Sequence, residues 1–586
     1  MNNLSSQPRK TDGSAIATSQ AMRSEVRNRR AFVRKWNEMN VRTLALIIIL
    51  TAAGIFYVRV LDPETFGLYG DDGIYVTTAK ALATGQGYRI VSLPYEPMQT
   101  LYPPLFPILL SLIWRAYPQF PENLTTMMLL SVLTTVTFLA LSYRYLVRQG
   151  YATSGQALIV ISLAALNWRT MFWATTLLSD MLYAAISVAG LYLAEKYEKE
   201  SNGHALGIAL GVIMGLAFLT RTSAITLMIA VAAYYVLRRQ WRRVLLPTAI
   251  AGSFVIGWAV WCHLNRSPFS GANSEYYSGY VRCFSAAFEY LQANNDTSKL
   301  TTLIGLVGTN AGLLLIAAVP LACLGVGYGL SRLVFIALVF VTIALITGGI
   351  LRLVGKSVRL MPVYLVPYFG LHIFLPGSAY DRYLVPVVPF LLVFLVTELD
   401  VISSAVRDRL KSRASVLGKV GAALVAAVLL TSITVALCSN AVAIFKSLAA
   451  DSFKKTARPS STIAEAIHWI NTNTEPSDVL VCNSDPLYYL YTGRKATASC
   501  SLIMLTTIPY QTRRPSFDEQ ASELLNIVRE NDGGYLVLNS TDFRYESDIS
   551  GESIEELVER SPHMFTPVFR ALDGRSAIYR IKISPD

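Results

Sequence analysis

Gly70-Asp71-Asp72-Gly73-Ile74-Tyr75 follows closely on the first long apolar run of the chain, near 44–60. Two adjacent carboxylates here open a helical pattern in which Tyr75, Ala79 and Leu82 recur at helical spacing. Gly85-Gln86-Gly87 should end that helix, because glycine tolerates the positive φ that a helix C-terminus often needs. Pro94, Pro97 and the run Tyr102-Pro103-Pro104-Leu105-Phe106-Pro107 come next. A polar loop of this length, punctuated by Gly and Pro in so apolar a chain, points to function rather than plain connection. The plain alternative for either aspartate is a helix N-cap. One side chain suffices for that role, so capping does not account for both.

The composition places the loop in a membrane protein. Hydrophobic residues make up 53% of the 586 and charged residues 15%, where a soluble domain carries roughly 25% charged. Apolar runs of about 18 residues or more recur along the chain and act as candidate spans. The net charge of +12 is explained by Lys and Arg on cytoplasmic loops, and nucleic-acid binding is not expected. Cys262, Cys283, Cys323, Cys438, Cys482 and Cys500 form no CxxC pair, which argues against a structural zinc site. Cys482 and Cys500 share the C-terminal part and can pair if it faces an oxidising compartment.

Residues 1–42, rich in arginine, read as a basic, disordered cytoplasmic tail. The run near 44–60 lacks a small-residue cleavage site and reads as a signal anchor, which puts the acidic loop 61–122 outside. Residues 104–116 are apolar but short and flanked by prolines, and are expected to lie on the outer membrane surface. Spans are expected near 123–143, 153–168, 172–194, 205–219, 223–237 and 243–263, with Arg238-Arg239-Gln240-Trp241-Arg242-Arg243 the strongest inside marker. The segment 302–328 is best placed as re-entrant or surface-lying, and spans resume near 333–351, 360–376, 383–400 and 417–440. That gives about 11 spans, or about 13 if 302–328 forms a hairpin, with the N-terminus inside and the C-terminus outside.

Beyond 450 the apolar runs stop. Ile463, Ala466, Ile467 and Ile470 make an amphipathic helix stripe, while 478–482 and 534–538 read as strands. The runs 565–571 and 577–583 flank Asp573-Gly574, a hairpin signal. The expected organisation is therefore the tail 1–42, a polytopic helical domain over 43–445 and an extracytoplasmic α/β domain over 451–586. No internal repeat of the kind found in many transporters is visible.

Four polar features would meet on the outer side. They are the Asp71/Asp72 pair, Asp180 after Ser179, Arg221 in Leu219-Thr220-Arg221-Thr222, and Tyr380-Asp381-Arg382-Tyr383 ahead of a span. The plain alternatives are a helix start for Asp180, a snorkelling side chain for Arg221 and a local ion pair for Asp381 and Arg382. A carboxylate suits a general base that takes a proton from an acceptor hydroxyl or amine. Arginine suits a phosphate leaving group, because guanidinium binds phosphate oxygens bidentately. Acid and cations above an apolar groove are what a reaction on a lipid-linked phosphosugar requires.

Taken in order, Asp71–Tyr75, the Gly85–Tyr88 turn, Tyr102–Pro107, Leu219-Thr220-Arg221 and Arg382-Tyr383-Leu384-Val385-Pro386 resemble the motifs of GT-C type membrane glycosyltransferases. The resemblance is to the bacterial branch similar to protein mannosyltransferases and lipid A aminoarabinose transferases, and covers roughly residues 40–440. Trp469-Ile470 through Tyr491-Thr492-Gly493-Arg494 also resembles the extracytoplasmic tail domain of such proteins. It implies transfer of a sugar, hexosyl or pentosyl, from a polyprenyl-phosphate donor to a glycan, lipid or protein acceptor on the outer face of a bacterial plasma membrane, with inversion. Asp71, four residues before Tyr75, takes the position of the loop aspartate; Asp72 and Asp180 take further acidic positions. In the aminoarabinose transferases a lysine that contacts the donor phosphate precedes the later proline, whereas this chain has Tyr102. Phosphate binding then falls to Arg382, Arg221 or Lys80, with Tyr75, Tyr102 and Tyr383 as further substrate contacts. No cofactor is firmly implied, and a divalent metal is compatible with the acidic pair. The competing classes are a lipid-linked sugar flippase or other transporter, and a non-enzymatic envelope assembly protein. The first leaves the long acidic outer loop and the C-terminal domain without a role, and the second would use the outer domain for binding.

Overall fold

The computed structural model describes residues 41–67, 70–200, 203–265, 332–355, 357–374, 380–412, 415–449, 459–482, 484–497, 534–539 and 562–582 except 573 and 575, with a few isolated positions besides. The tail, the segment 302–328 and Cys500 lie outside the described residues.

Six helices are long and apolar enough to cross a membrane, or seven if one bent pair counts as a single span. The six are α1 (Val41–Arg59), α4 (Asn123–Arg148), α10 (Arg242–Leu264), and the helical stretches Ile336–Val354, Arg382–Lys411 and Val416–Val442. Each falls on an expected span. At three of the other expected spans the helices are shorter than the 18 residues a crossing takes. α8 (His204–Thr220) has 17 residues, α9 (Ile225–Leu237) 13 and α12 (Leu360–Phe374) 15. The segments expected at 153–168 and 172–194 are divided differently. α5 (Ser154–Ala165) and α6 (Trp168–Ala174) meet at a 63° bend, and α7 starts only at Asp180 and runs to Lys199.

That bend has a local cause. Asn167 caps α6 by accepting from the Arg169 amide at 3.0 Å, which ends α5 and redirects the chain. Asn440, on α15 (Val416–Ala449), donates to the Leu166 carbonyl at 2.8 Å and accepts from the Trp168 amide at 3.1 Å. Backbone groups freed by the break are thus satisfied by a side chain, as an apolar surrounding demands.

α8 and α10 pack closely through glycines spaced four apart. A Cβ at Gly211 would stand 2.7 Å from the Ile250 Cβ, and one at Gly215 2.4 Å from the Phe254 ring. This small-residue stripe lets two apolar helices approach to backbone contact. It fixes α8, and with it Arg221 at its C-terminal end, against α10. Gly215→Val should therefore lower stability by about 1–3 kcal/mol or more through overpacking, read as a fall in the detergent-solubilised melting temperature. An unchanged melting temperature would mean the two helices separate freely.

Two shorter helices complete the acidic loop. α2 (Asp71–Ala83) is followed by Gly85 and Gly87, both at positive φ, where the sequence expects the helix to end. α3 (Leu105–Ala116) is amphipathic, burying Phe106, Leu110 and Trp114 and exposing Ile108 and Leu112.

Beyond α16 (Pro459–Asn473) the chain forms a five-stranded sheet ordered β2-β1-β3-β5-β4. β1 (Val479–Val481) pairs in parallel with β2 (Ala496–Thr497) and with β3 (Gly534–Asn539), while β5 (Ser576–Ile581) is antiparallel to both β3 and β4 (Phe565–Arg570). β3 is buried along its length, as its continuous apolar run requires of a central strand. Gly574 sits at φ 69° in the tight turn between β4 and β5. Ile463, Ala466 and Ile470 are the buried stripe of α16, and Trp469 lies against Tyr535 and Phe569 of the sheet. α17 (Asp485–Thr492), between β1 and β2, turns back toward α2.

Candidate active site

Asp71, Asp180, Arg221 and Arg382 come from four separate helices or their ends and form one ion-pair chain. The Arg382 guanidinium bridges both acids, with Nη1 at 2.9 Å from Asp71 Oδ2 and Nε at 2.9 Å from Asp180 Oδ2. Arg221 Nη1 takes the other oxygen of Asp180 at 2.9 Å. Asp180 is 3% exposed at the side chain and Arg382 9%, whereas Asp71 is 20% exposed and faces the open side of the cluster. Two acids and two arginines cancel in charge, which offsets the cost of burying each ion. The Arg382 guanidinium also lies 5.9 Å from the centre of the Trp173 ring.

Aromatic side chains set the orientation of Asp71. Tyr102 donates its hydroxyl to Asp71 Oδ1 at 2.5 Å, and its ring packs on Tyr75 at 4.8 Å between centres. Tyr75 in turn shares a hydrogen bond with Ser179, the residue before Asp180, at 3.1 Å. Burial pushes the Tyr75 phenol above its ordinary value, with the Asp71 charge adding to the effect. Tyr102 is itself fixed at the backbone, since Tyr88 donates to its carbonyl at 2.8 Å and its amide reaches Gln99 Oε1.

The neighbouring acid has a different environment. The N-cap of α2 is Gly70, so neither aspartate caps the helix. Asp72 turns into the protein, where its carboxylate accepts from the Gly67 amide at 2.7 Å and the Gly73 amide at 2.8 Å. It is 3% exposed, and burial pushes it up to about 7 against those two amides, with the Asp71 charge pushing the same way. Asp72 therefore holds the turn, whereas Asp71 and Asp180 are the acids paired with Arg382.

A folded-state acid with raised proton affinity is most favourable to stability when protonated in both states, below about pH 4. That contribution is lost as pH rises through about 7, because the unfolded chain releases the proton first. Asp72→Asn should remove about 2 kcal/mol of this slope between pH 5 and 8, measured as chemical denaturation at the two pH values. Parallel pH dependence in the two proteins would show that Asp72 is ionised throughout.

Lys80 also departs from expectation. Nine residues after Asp71 it lies on the opposite side of α2, with its ammonium 4.5 Å from the centre of the Tyr489 ring. Burial and the nearby Lys495 lower its proton affinity. It is not one of the cations gathered at Asp180. Tyr383 adjoins Arg382, with its carbonyl accepting from Tyr368 at 2.5 Å and its ring 4.6 Å from His372.

An open apolar groove of about 460 Å³ lies between the far end of α2, the start of α3 and α10. Leu82, Tyr88, Pro104, Ile108, Trp258 and Trp261 are among its walls, and Leu219, two residues before Arg221, closes one side. Trp261 donates to the Gln99 carbonyl at 2.9 Å, tying the groove wall to the segment that holds Tyr102. Trp173, Trp258, Trp261 and Ser179 were not singled out by sequence. Their signal was a tryptophan near a helix end or a serine beside an acid, which is common in any apolar chain.

Among the described residues, no three His, Cys, Asp or Glu side chains are grouped to hold a metal ion. Arg382 occupies the space between the two acids that a cation would need. The described residues at this cluster do not fit a divalent metal.

No protein-family model matches the chain, and no curated protein matches it by sequence. Solved structures do. ArnT from Cupriavidus metallidurans in the apo state is 12% identical with a TM-score of 0.53, over 92% of this chain and 98% of that one. The same protein bound to undecaprenyl phosphate gives 12% identity, 0.51 and the same coverage. The Archaeoglobus fulgidus oligosaccharyltransferase in complex with Zn and sulfate gives 12% identity and 0.52, over 91% and 72%. The chain has a GT-C fold. It is an integral membrane protein with a C-terminal five-stranded sheet. Within this GT-C fold the four charged residues stand at one end of α7. Lys196 and Lys199 stand at the other, about 30 Å away by helical rise.

Proposed function

We propose that this chain transfers a sugar from a polyprenyl-phosphate donor to an acceptor hydroxyl or amine at the outer face of the membrane. Asp71 is the general base in this reading. The observation that carries it is a partly exposed carboxylate, held by Tyr102 and by Arg382, which with Arg221 forms a pair of guanidinium groups; an apolar groove with Leu219, two residues before Arg221, in its wall lies in the same domain. The groove suits the prenyl chain and the guanidinium groups suit its phosphate. ArnT, whose fold is similar, has been solved with undecaprenyl phosphate, which supports a lipid phosphate as the donor's carrier.

The step balances without a cofactor. Asp71 takes the acceptor proton as the acceptor oxygen or nitrogen bonds to the anomeric carbon. The carbon–oxygen bond to phosphate breaks on the opposite side, so the configuration inverts. Polyprenyl phosphate leaves with the bonding pair, and Arg382 and Arg221 receive its charge. Asp180 aligns the two arginines through its two oxygens.

Purified protein incubated with labelled polyprenyl-phosphate sugars should release polyprenyl phosphate from one of them. If every donor is left intact with lipid, glycan and protein acceptors all present, the transfer reading fails.

Sidedness is part of the proposal. Arg238, Arg243, Lys199 and Arg359 interact with Glu198, Tyr197, Glu200 and Gln149 at the end of α7 away from Asp180. By the positive-inside rule that end is cytoplasmic and Asp180 is outside. Leu572 is 98% exposed in the C-terminal domain. Leu572→Cys should be labelled by a membrane-impermeant maleimide added outside intact cells, above the level of the unsubstituted chain. Labelling only after the cytoplasmic face is opened would reverse the topology.

A further inference from the structure

The acidic turn has two faces. Asp71 looks toward Tyr102 and Arg382, while the backbone on either side of it is pressed against the C-terminal domain. A Cβ at Gly67 would stand 2.9 Å from Leu487 Cδ1, and one at Gly73 2.9 Å from Pro486 Cβ. Pro486 and Leu487, the second and third residues of α17, therefore seat on bare backbone before and after the Asp71-Asp72 pair. The same two glycines donate their amides to Asp72. Turn, buried carboxylate and α17 thus form one packed unit.

Further bonds hold α17 in place. Ser92 donates to Asp485 Oδ2 at 3.0 Å, and the Ala496 amide of β2 reaches the Ser92 carbonyl at 2.9 Å. Lys495 donates to the Val91 carbonyl at 2.7 Å and pairs with Glu96 at 2.5 Å. Lys80 and Lys495 both lie over the Tyr489 ring, at 4.5 and 5.0 Å from its centre. The bonds through Ser92, Val91 and Glu96 fix the segment 91–96 to the sheet domain, and the contacts at Gly67 and Gly73 fix the acidic turn.

From this geometry we infer that α17 positions the proposed base, and that Leu487 is the positioning residue. The inference rests on the sugar-transfer reading. Leu487 acts through Gly67 and the Asp72 turn. A displacement of about 1 Å in a catalytic group costs up to a hundredfold in rate, so a contact this close to the base is one the reaction can sense. The arginines and, apart from Leu82 at the far end of α2, the groove walls stand on elements other than α2 and α17, so donor binding should not depend on it.

Leu487→Ala in the full chain should lower kcat about tenfold while the donor KM stays within about twofold. Amide exchange in the peptide covering residues 66–75 should become several-fold faster, since the Gly67 and Gly73 amides lose their cover. Leu487→Met, close in volume, should restore both readouts. Should Leu487→Ala fail to fold, Leu487→Val carries the same test at smaller amplitude. An unchanged kcat alongside faster exchange would overturn the positioning role, and so would a KM effect with kcat intact. Unchanged exchange in a folded Leu487→Ala protein would overturn the contact itself. If the unsubstituted chain consumes no polyprenyl-phosphate sugar, the transfer reading fails, and exchange at 66–75 alone decides whether Leu487 holds the turn.

Discussion

Asp71→Asn is expected to lose about a hundredfold or more in turnover and, at the same time, to bind polyprenyl phosphate more tightly than the unsubstituted chain. The first effect is that of removing a general base. The second follows from the ion-pair chain, because Asp71 occupies Arg382 Nη1 at 2.9 Å. A lipid phosphate that reaches for the same guanidinium must displace a carboxylate. Asparagine keeps the acceptor oxygen but not the charge, so the competition weakens. Charge-assisted hydrogen bonds contribute about 1.5–3 kcal/mol, and Arg382 remains tied to Asp180 in either case. An affinity gain of about tenfold is therefore expected, corresponding to about 1.4 kcal/mol.

Folding should change little, since Asp71 is partly exposed and does not cap α2. Binding of undecaprenyl phosphate and single-turnover rates can be measured on the same preparation. Normal turnover would end the base assignment and move it to Asp180. Lost turnover with unchanged lipid affinity would keep the base and show that Asp71 and the phosphate use different faces of Arg382.

The membrane helices were legible where length and hydropathy sufficed. α1, α4, α10 and the stretch Val416–Val442 lie where uninterrupted apolar runs place them. Hydropathy could not show the break at Leu166-Asn167, which depends on Asn440 from far along the chain. A window across 172–194 likewise averages over the polar start of α7 at Asp180.

The site followed a similar rule. Asp71, Asp180, Arg221 and Arg382 were visible as charges at the edges of apolar runs, where charge is costly and needs a reason. Asp71 and Asp72 were indistinguishable in sequence, since adjacent helical residues point about 100° apart and only packing decides which faces the cluster. The same geometry takes Lys80 to the far side of α2. Sequence also left open whether Asp381 would be the partner of Arg382. The Asp381 side chain lies outside the described residues, and the structure pairs Arg382 with acids 202 and 311 residues away. The docking of α17 on Gly67 and Gly73 was illegible for another reason: a glycine's role as a landing surface depends wholly on what lands there.

Arg382→Ala is expected to damage both the fold and donor use, whereas Arg352→Ala should leave donor use intact. Arg352, itself exposed, pairs with the buried Glu398 through two hydrogen bonds of 2.9 Å, with no contact to the candidate site among the described residues. Losing Arg352 removes the partner of Glu398 and alters nothing at the candidate site. Arg382 is different because it neutralises two acids, one of them 3% exposed. Truncating it leaves Asp180 with Arg221 alone and Asp71 with only a tyrosine hydroxyl. Breaking a buried pair from one side costs about 3–5 kcal/mol, enough to lower the melting temperature clearly. Activity lost by Arg382→Ala alone would therefore not separate phosphate binding from misfolding.

The double substitution Asp71→Asn with Arg382→Gln resolves the two. It lowers charge on both sides of one contact and leaves Arg221 paired with Asp180. Its stability should recover part of the loss seen with Arg382→Ala. Its affinity for undecaprenyl phosphate should stay at least about tenfold below that of Asp71→Asn, because the guanidinium that receives the phosphate is absent. Equal lipid affinity in the double variant and in Asp71→Asn would assign the phosphate to Arg221 and leave Arg382 as the clasp of two carboxylates.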